Sequence, residues 1–144
     1  MSASLLDVNV LIALAYEWHV GHSLVQGWFR ESAGAWATCP LTESGFVRIA
    51  CNPSAIEQSV KVREALRMIS TITVRPGYRF WPADINFSEA VQPFRERVFG
   101  HRQVTDAYLL GLAIKNKGRL VTLDRGIEAL AGEDYRQHVT VLGE

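Results

Sequence analysis

Four acidic side chains occupy positions where a parallel α/β fold would bring them together. Each one follows a short apolar run or lies in the first turn of a predicted helix, and the four are Asp7, Glu43, Asp106 and Asp124. The carboxyl ends of parallel strands share one edge of a sheet with the N-termini of the helices that follow them. We therefore predict that these four carboxylates converge at that edge.

Carboxylates that converge in this way need a positive charge between them. Like charges a few ångström apart repel, and at least one of the acids would otherwise stay protonated. Ligand sets made only of oxygen favour hard cations such as Mg²⁺ or Mn²⁺. A cation of this kind acidifies a water molecule for attack on phosphorus. The pattern thus predicts a metal-dependent hydrolase of phosphodiester bonds.

Each acid taken alone also has a structural explanation. Asp7 could close a turn, Asp124 could cap a helix, and the other two could complement helix dipoles. Two of them, however, lie against strongly apolar runs, Asp7 in SLLDVNVLIAL and Asp106 in VTDAYLLGLA. A lone carboxylate would be costly to bury there, so the surroundings favour a functional role.

The elements that must position these acids alternate between strand and helix. Apolar runs predict strands over residues 4–8, 35–38, 120–123 and 139–142, and an edge strand within 79–82. Helical spacing predicts helices over 9–16, 41–51, 56–69, 103–116 and 126–131, a helix that begins near Gly21, and one capped by Ser88 that runs to residue 98. Gly118 is expected directly after the C-cap of the 103–116 helix. The alternation predicts an α/β fold: one three-layer domain over residues 1–144, with a mostly parallel central sheet flanked by helices.

The composition is that of an ordinary globular domain, with 48% hydrophobic and 21% charged residues among 144. Fifteen basic residues balance fifteen acidic ones, so no strong overall field attracts nucleic acid. RNA binding would then depend on local patches or on a metal ion. Twelve of the basic residues are arginines, whose planar fork fits phosphate, although a GC-rich genome would produce the same bias.

The two cysteines and the chain's start bear on where the protein resides. Cys39 and Cys51 lack the spacing of a metal site and are predicted to be reduced, as in a cytoplasmic protein. We find no signal-peptide pattern and no apolar run near the ~20 residues that cross a bilayer, and therefore predict no membrane association.

Four segments of the sequence together resemble a known family. LLDVNVLIAL, PLTESGFVR, VTDAYLLGLA and LVTLDRG match, in order and spacing, the signature segments of the PIN-domain family, most closely those of VapC-type toxins from bacterial type II toxin–antitoxin pairs. The resemblance implies an endoribonuclease whose Mg²⁺ or Mn²⁺ is held by Asp7, Glu43, Asp106 and Asp124. It also implies inhibition by a small VapB-like antitoxin, whose C-terminal segment would lie near the early helices, and frequent homodimerisation.

Several polar residues near the acids are candidates for supporting roles. The resemblance matches Asn9 to a position that often orients the first acid, and Thr122 to a position near the metal. Arg48, Arg102 and Arg125 are candidates for contacts with RNA phosphates, although they could equally neutralise neighbouring acids. His101 is a candidate proton donor to the leaving oxygen. The segment from Thr71 to Asp84 belongs to none of the four motifs, so its role stays open.

Two other functions are compatible with parts of the pattern. A phosphatase of the haloacid-dehalogenase kind also uses a strand-end aspartate, but it needs a second aspartate where this chain has Asn9, and a late lysine that is not suitably placed here. A non-catalytic PIN-like binding module would be expected to have lost one of the acids. All four are present, so the nuclease remains the favoured interpretation.

Overall fold

In the computed structural model, which describes residues 3–143, five strands form one sheet with helices on both faces. The strands are β1 (Ser4–Leu6), β2 (Trp36–Thr38), β3 (Tyr78–Phe80), β4 (Arg119–Thr122) and β5 (Val139–Val141). The helices are α1 (Val8–Ala15), α2 (His22–Ser32), α3 (Pro40–Ala50), α4 (Val62–Thr73), α5 (Phe87–Val91), α6 (Val104–Lys115) and α7 (Gly126–Ala131). Three 3₁₀ turns also occur, at Gln92–Arg97, His101–Gln103 and Arg136–His138.

The sheet is parallel at every pairing, which confirms the predicted α/β class. Its strand order is β3-β2-β1-β4-β5. From β1 the chain adds β2 and β3 on one side, and then adds β4 and β5 on the other. The strand order therefore reverses between β1 and β4, which is where ligands of open α/β sheets bind.

Alternation along the central strands builds a core on each face of the sheet. Leu5 and Leu120 pack with α5, α6 and α7, whereas Leu6 and Val121 pack with α1, α2 and α4. Successive side chains of a strand point to opposite faces, so strands covered on both sides are apolar throughout. This arrangement gives the three predicted layers.

The predicted helix over residues 56–69 is wrong at its start. The chain forms turns after α3, and α4 begins only at Val62. Ile56 is 4% exposed, and the backbone N–H of Val60 donates to the carbonyl oxygen of Ala50. These apolar residues anchor a loop on the end of α3, and their spacing resembled a helical stripe by coincidence.

The helix expected from Ser88 to residue 98 is also corrected. Asn86 is the N-cap, and its side chain accepts from the N–H of Glu89 at 2.8 Å. The α-helix stops at Val91, and a 3₁₀ turn continues through Pro93. Proline has no N–H and its ring clashes with the preceding helical turn, so it interrupts the α-helical hydrogen bonds.

The end of α6 differs from the prediction by one residue. The left-handed position after the helix is Lys117, with φ 55°, rather than Gly118. Gly118 is needed for another reason: a Cβ there would clash with the carbonyl oxygen of Ala3 and lie 2.8 Å from the ring of Trp81. The glycine thus permits close packing of the chain as it enters β4.

The segment between Thr71 and Asp84 completes α4 and supplies the predicted edge strand, β3. It also places Trp81 in the core at 6% exposure. Within residues 3–143, helices long and apolar enough to cross a membrane are absent.

Candidate active site

Asp7 lies at the centre of the sheet edge, directly after β1. Its backbone N–H donates to the carbonyl oxygen of Val121 on β4, which extends the pairing of the two strands by one residue. Its side chain caps α1, with Oδ1 accepting from the N–H of Val8 at 2.8 Å. The residue is only 6% exposed. A carboxylate so deeply placed is fixed in orientation by the start of the helix.

The second oxygen of Asp7 is held by a polar cluster from β4 and α1. The hydroxyl of Thr122, fully buried, donates to Asp7 Oδ2 at 2.7 Å. The same hydroxyl oxygen accepts from the N–H of Asp124 at 3.0 Å and from Asn9 Nδ2 at 3.3 Å. Asn9 Oδ1 in turn accepts from the N–H of Leu123. Asn9 therefore orients Thr122, and acts on Asp7 only through that hydroxyl.

Asp106, in the first turn of α6, lines the same groove as Asp7. Burial, followed by the charges of Asp7 and Asp124, raises the pKa of Asp106 to about 6. The pKa of Asp7 is raised as well, first by burial and then by the charge of Asp124, and is lowered in part by hydrogen bonds from Thr122 and Val8. The charge of Asp124 thus acts on both other aspartates, and the charge of Asp7 acts on Asp106.

Glu43 lies in the first turn of α3, but its carboxylate is engaged elsewhere. Its Oε2 is 2.6 Å from the hydroxyl oxygen of Thr38, at the end of β2, and 3.5 Å from that of Tyr78, at the start of β3. In the structure this oxygen of Glu43 is therefore held by hydroxyl groups at the ends of β2 and β3.

The aspartate group fits a divalent cation in chemistry. Carboxylates that raise one another's pKa are relieved by a positive ion between them, and oxygen ligands suit hard cations better than soft ones. In the structure these side chains do not form a closed set of ligands. Among residues 3–143, no three side chains of the types Asp, Glu, His or Cys are grouped closely enough to hold an ion by themselves. The aspartates would have to draw together, or gain Glu43, around a cation.

A groove of about 880 Å³ leads to Asp7 and Asp106. Its walls come from α1, from α3 and the turn that follows it, and from the start of α6; they include Arg48, Ser44 and Thr105. Arg48 is exposed, so its guanidinium can meet a phosphate that approaches the aspartates. Of the other predicted contacts, Arg102 and His101 are exposed in the 3₁₀ turn before α6, outside the groove wall.

Arg125 follows Asp124 directly and is exposed. Its guanidinium lies 3.8 Å from the carboxylate of Glu128, one turn along α7. A contact of this length at the surface contributes little to stability. The arginine thus lies between Asp124 and the first turn of α7.

Sequence reasoning missed two polar residues beside the acids, Thr38 and Tyr78. Thr38 ends a buried strand, which is the same signal that singled out Asp7. Tyr78 lies in the segment that matched no motif, and nothing in its local sequence indicates a contact with residues 35 and 40 positions away.

Comparison with known proteins gives a consistent result. The PIN-domain family model matches residues 4–133 of this chain. Ribonuclease VapC38 of Mycobacterium tuberculosis is 40% identical over 140 residues, covering 96% of this chain and 97% of that protein. Ribonuclease VapC39 of the same organism is 42% identical over 125 residues, covering 86% and 90% of the two chains.

Solved structures share the fold at much lower sequence identity. The crystal structure of Mycobacterium tuberculosis VapC20, described as a toxin that cleaves the sarcin–ricin loop, matches with a TM-score of 0.66 at 13% identity, over 88% of this chain and 94% of that one. VapBC2 of Rickettsia felis, bound to a DNA fragment from its promoter, matches with a TM-score of 0.63 at 9% identity, over 97% and 98%.

Proposed function

Because the chain belongs to the PIN-domain family and to its VapC ribonucleases, we propose that it is the endoribonuclease toxin of a VapBC-type pair, dependent on Mg²⁺ or Mn²⁺. Asp7, Asp106 and Asp124 are the proposed primary ligands, and Glu43 is the fourth. The proposed PIN-like domain covers residues 1–144.

One observation carries this proposal. Asp7 and Asp106, ninety-nine positions apart in the sequence, line one groove and lie in one field, at the reversal in strand order. Folding places like charges together here at a cost to stability, because desolvation and mutual repulsion both disfavour their ionised forms. A site that keeps this cost points to a function that requires it.

The side chains have distinct tasks in the proposed reaction. When bound, Mg²⁺ or Mn²⁺ supplies Lewis-acid activation of water and neutralises the carboxylates. Thr122 and the start of α1 hold both oxygens of Asp7 and so orient this carboxylate. Arg48 is placed to bind a phosphate of the RNA strand at the groove wall.

The proposed partners follow from the relatives and from the acidic groove. A small VapB-like antitoxin would inhibit the chain by placing a basic side chain at the aspartates, and the free toxin would form a homodimer. Both cysteines are free thiols, as expected in the cytoplasm, which is the proposed location.

RNA cleavage by the purified chain tests the proposal. We expect hydrolysis of RNA with Mg²⁺ or Mn²⁺ and none with EDTA. Asp7→Asn should lower the rate by more than about 100-fold, because loss of a ligand costs more than loss of a residue that only supports one. If wild type and Asp7→Asn leave RNA equally intact with Mn²⁺ present, the non-catalytic binding module is favoured instead.

A matched control separates the site from general effects of charge. Asp84→Asn removes an exposed aspartate whose partner is Lys115, at 2.7 Å, at the opposite end of α6 from Asp106. This variant should cleave RNA at the wild-type rate. In a bacterial host, induction of the wild type and of Asp84→Asn should arrest growth, whereas induction of Asp106→Asn should not.

A further inference from the structure

A glycine in the interior of α3, Gly45, lies in the wall of the groove that leads to the aspartates. One face of α3 forms this wall, since Leu41, Gly45 and Arg48 line the groove at helical spacing. Glycine inside a helix is less favourable than alanine, because it loses more conformational freedom on folding. Its presence in the middle of α3 therefore needs a cause.

The cause is a close contact with the start of α1. A Cβ built on Gly45 would lie 2.6 Å from Cγ2 of Val8, a distance that real Cβ atoms essentially never show, so a side chain there would force a movement. Val8 is β-branched, which restricts its χ1 rotation in a helix, and it packs against the core on this face of the sheet. Rotation of the valine is therefore a costly way to relieve the contact.

Val8 is joined to the site through its own backbone. Its N–H donates to Asp7 Oδ1 at 2.8 Å, and both residues line the groove. The helix α1 is buried from Val10 to Leu14, whereas α3 presents the exposed side chains of Ser44 and Arg48 to the groove. Of the two helices, α3 is thus the one that can move, and it would carry Arg48 with it.

We propose that the contact between Gly45 and Val8 sets how closely α3 approaches Asp7, and so places the Arg48 guanidinium where it binds an RNA phosphate beside the aspartates. Gly45 is a positioning residue that acts through α3. A misplacement of about 1 Å can cost about 100-fold in rate, so a contact this close has a measurable effect. The inference rests on the proposed function, since it takes the groove as the path of the RNA.

The test is the kinetics of Gly45→Ala on a labelled single-stranded RNA, at saturating Mn²⁺ and well below the melting temperature of each variant. We expect kcat/KM to fall by about 10-fold or more. Most of the change should be in KM, because the displaced helix carries a contact that binds the substrate.

Removal of the two Cγ atoms of Val8 should rescue the variant. The nearest remaining atom of residue 8 would be its Cβ, 3.6 Å from the added Cβ, which is an ordinary van der Waals contact. The double variant Val8→Ala/Gly45→Ala should therefore cleave within about twofold of Val8→Ala alone.

Coupling to Arg48 distinguishes positioning from a general loss of stability. Arg48→Ala should raise KM in the wild type but have little further effect in Gly45→Ala, where the guanidinium is already displaced. It should regain its full effect in Val8→Ala/Gly45→Ala. A variant that had only lost stability would keep the wild-type dependence on Arg48.

Gly27→Ala is the matched control. Gly27 lies in the interior of α2, and a Cβ there meets no atom of the described residues within 4 Å. Alanine is the better helix former, so this variant should melt above the wild type and keep its kcat/KM. If circular dichroism shows that Gly45→Ala does not fold, the comparison moves to the Val8→Ala background. There Gly45→Ala should cleave as its parent does, and the larger Gly45→Val should raise KM.

The outcomes separate the two proposals. If the wild type does not cleave RNA with Mn²⁺, the proposed function fails and the positioning role fails with it. If the wild type cleaves RNA and Gly45→Ala does so equally well, the positioning role alone is overturned. A loss in Gly45→Ala that Val8→Ala does not rescue, or that leaves the effect of Arg48→Ala unchanged, also overturns it.

Discussion

At this site, a residue proposed to serve the function can lower the stability of the fold, and Asp106 is the clearest case. Its pKa is raised to about 6 by burial and by the charges of Asp7 and Asp124. The folded chain therefore binds a proton here more tightly than the unfolded chain does. Stability from this group is fully present below the ordinary pKa of an aspartate and is lost as pH rises through about 6.

Asp106→Asn should therefore stabilise the protein while removing its activity. At pH 7.5 in EDTA we expect the variant to melt about 2–4 °C above the wild type. Burial and charge repulsion of the ionised Asp106 carboxylate still destabilise the wild type by about 1 kcal/mol after solvent screening of this partly exposed group. The difference should shrink as pH falls through 6 to 4.5, where Asp106 of the folded wild type is protonated, and it should disappear only below the ordinary pKa of an aspartate. Thermal melts at both values of pH measure the effect.

Asp84→Asn is the contrasting control for these melts. The pKa of Asp84 is lowered by its hydrogen bond and charge pair with Lys115, so its ionised form is the favoured one in the folded state. The variant should not melt above the wild type at pH 7.5. An Asp106→Asn protein that melts at or below the wild-type temperature at pH 7.5 would contradict the account of the site.

Among the elements, α6 is the one that joins the site to the fold. Its first turn carries Asp106, its body packs in one core, and its last residues must return the chain into the centre of the sheet as β4. Space is limited at that return, since Gly118 lies against Ala3 and Trp81. The residue with the left-handed backbone conformation is Lys117, and its Cβ makes that conformation unfavourable.

Lys117→Gly should relieve this local strain. A left-handed conformation costs an L-residue about 1–2 kcal/mol, and the greater freedom of glycine in the unfolded chain offsets about 0.4–1 kcal/mol of the gain. We expect the melting temperature to rise by about 1–3 °C without a change in RNA cleavage. Lys117→Ala, which removes the charge but keeps the Cβ, should show no rise; an equal rise in both variants would assign the effect to charge.

At the scale of the whole molecule, charge balance decides how RNA is bound. Fifteen basic and fifteen acidic residues leave no net field, and the groove floor is acidic. Attraction for the phosphate backbone must then come from a few local arginines and from the cation. A protein of this kind is expected to bind RNA with a modest dependence on salt.

The salt dependence of RNA binding tests this expectation in the Asp7→Asn background, which is expected not to cleave. Phosphate contacts from all three candidates, Arg48, Arg102 and Arg125, would make the logarithm of affinity fall with the logarithm of salt concentration with a slope of about −2. Arg48→Ala should weaken binding and make the slope shallower by about 0.7. Fluorescence anisotropy with a labelled single-stranded RNA measures both quantities.

Arg67→Ala is the control, because Arg67 is exposed on α4 and pairs with Glu64 at 2.9 Å, outside the groove. It should leave affinity and slope unchanged. If Arg48→Ala also leaves both unchanged, the groove wall is not part of the RNA path.

The sequence by itself was sufficient for the fold class, the strand ends that carry Asp7 and Asp124, and the helix start that carries Asp106. These features depend on the local sequence. Apolar strands end at the edge of the sheet where the site lies, and a parallel sheet brings those ends together for any conformation of the loops. The α-helix boundaries near Val62 and Asn86 were predicted less well, because spacing alone does not separate a loop anchored by Ile56 from a helical stripe.

Contacts between distant residues could not be derived in this way. The hydrogen bond from Tyr78 to Glu43 spans 35 positions, and the hydrogen bond from Thr122 to Asp7 spans 115. Such contacts are fixed by the strand order and by the register of β2 with β3, which arise only when the whole core packs. The sequence therefore predicted four candidate acids, and only the packing of the sheet determined that Asp7 and Asp106 line one groove while Glu43 accepts a hydrogen bond from Thr38.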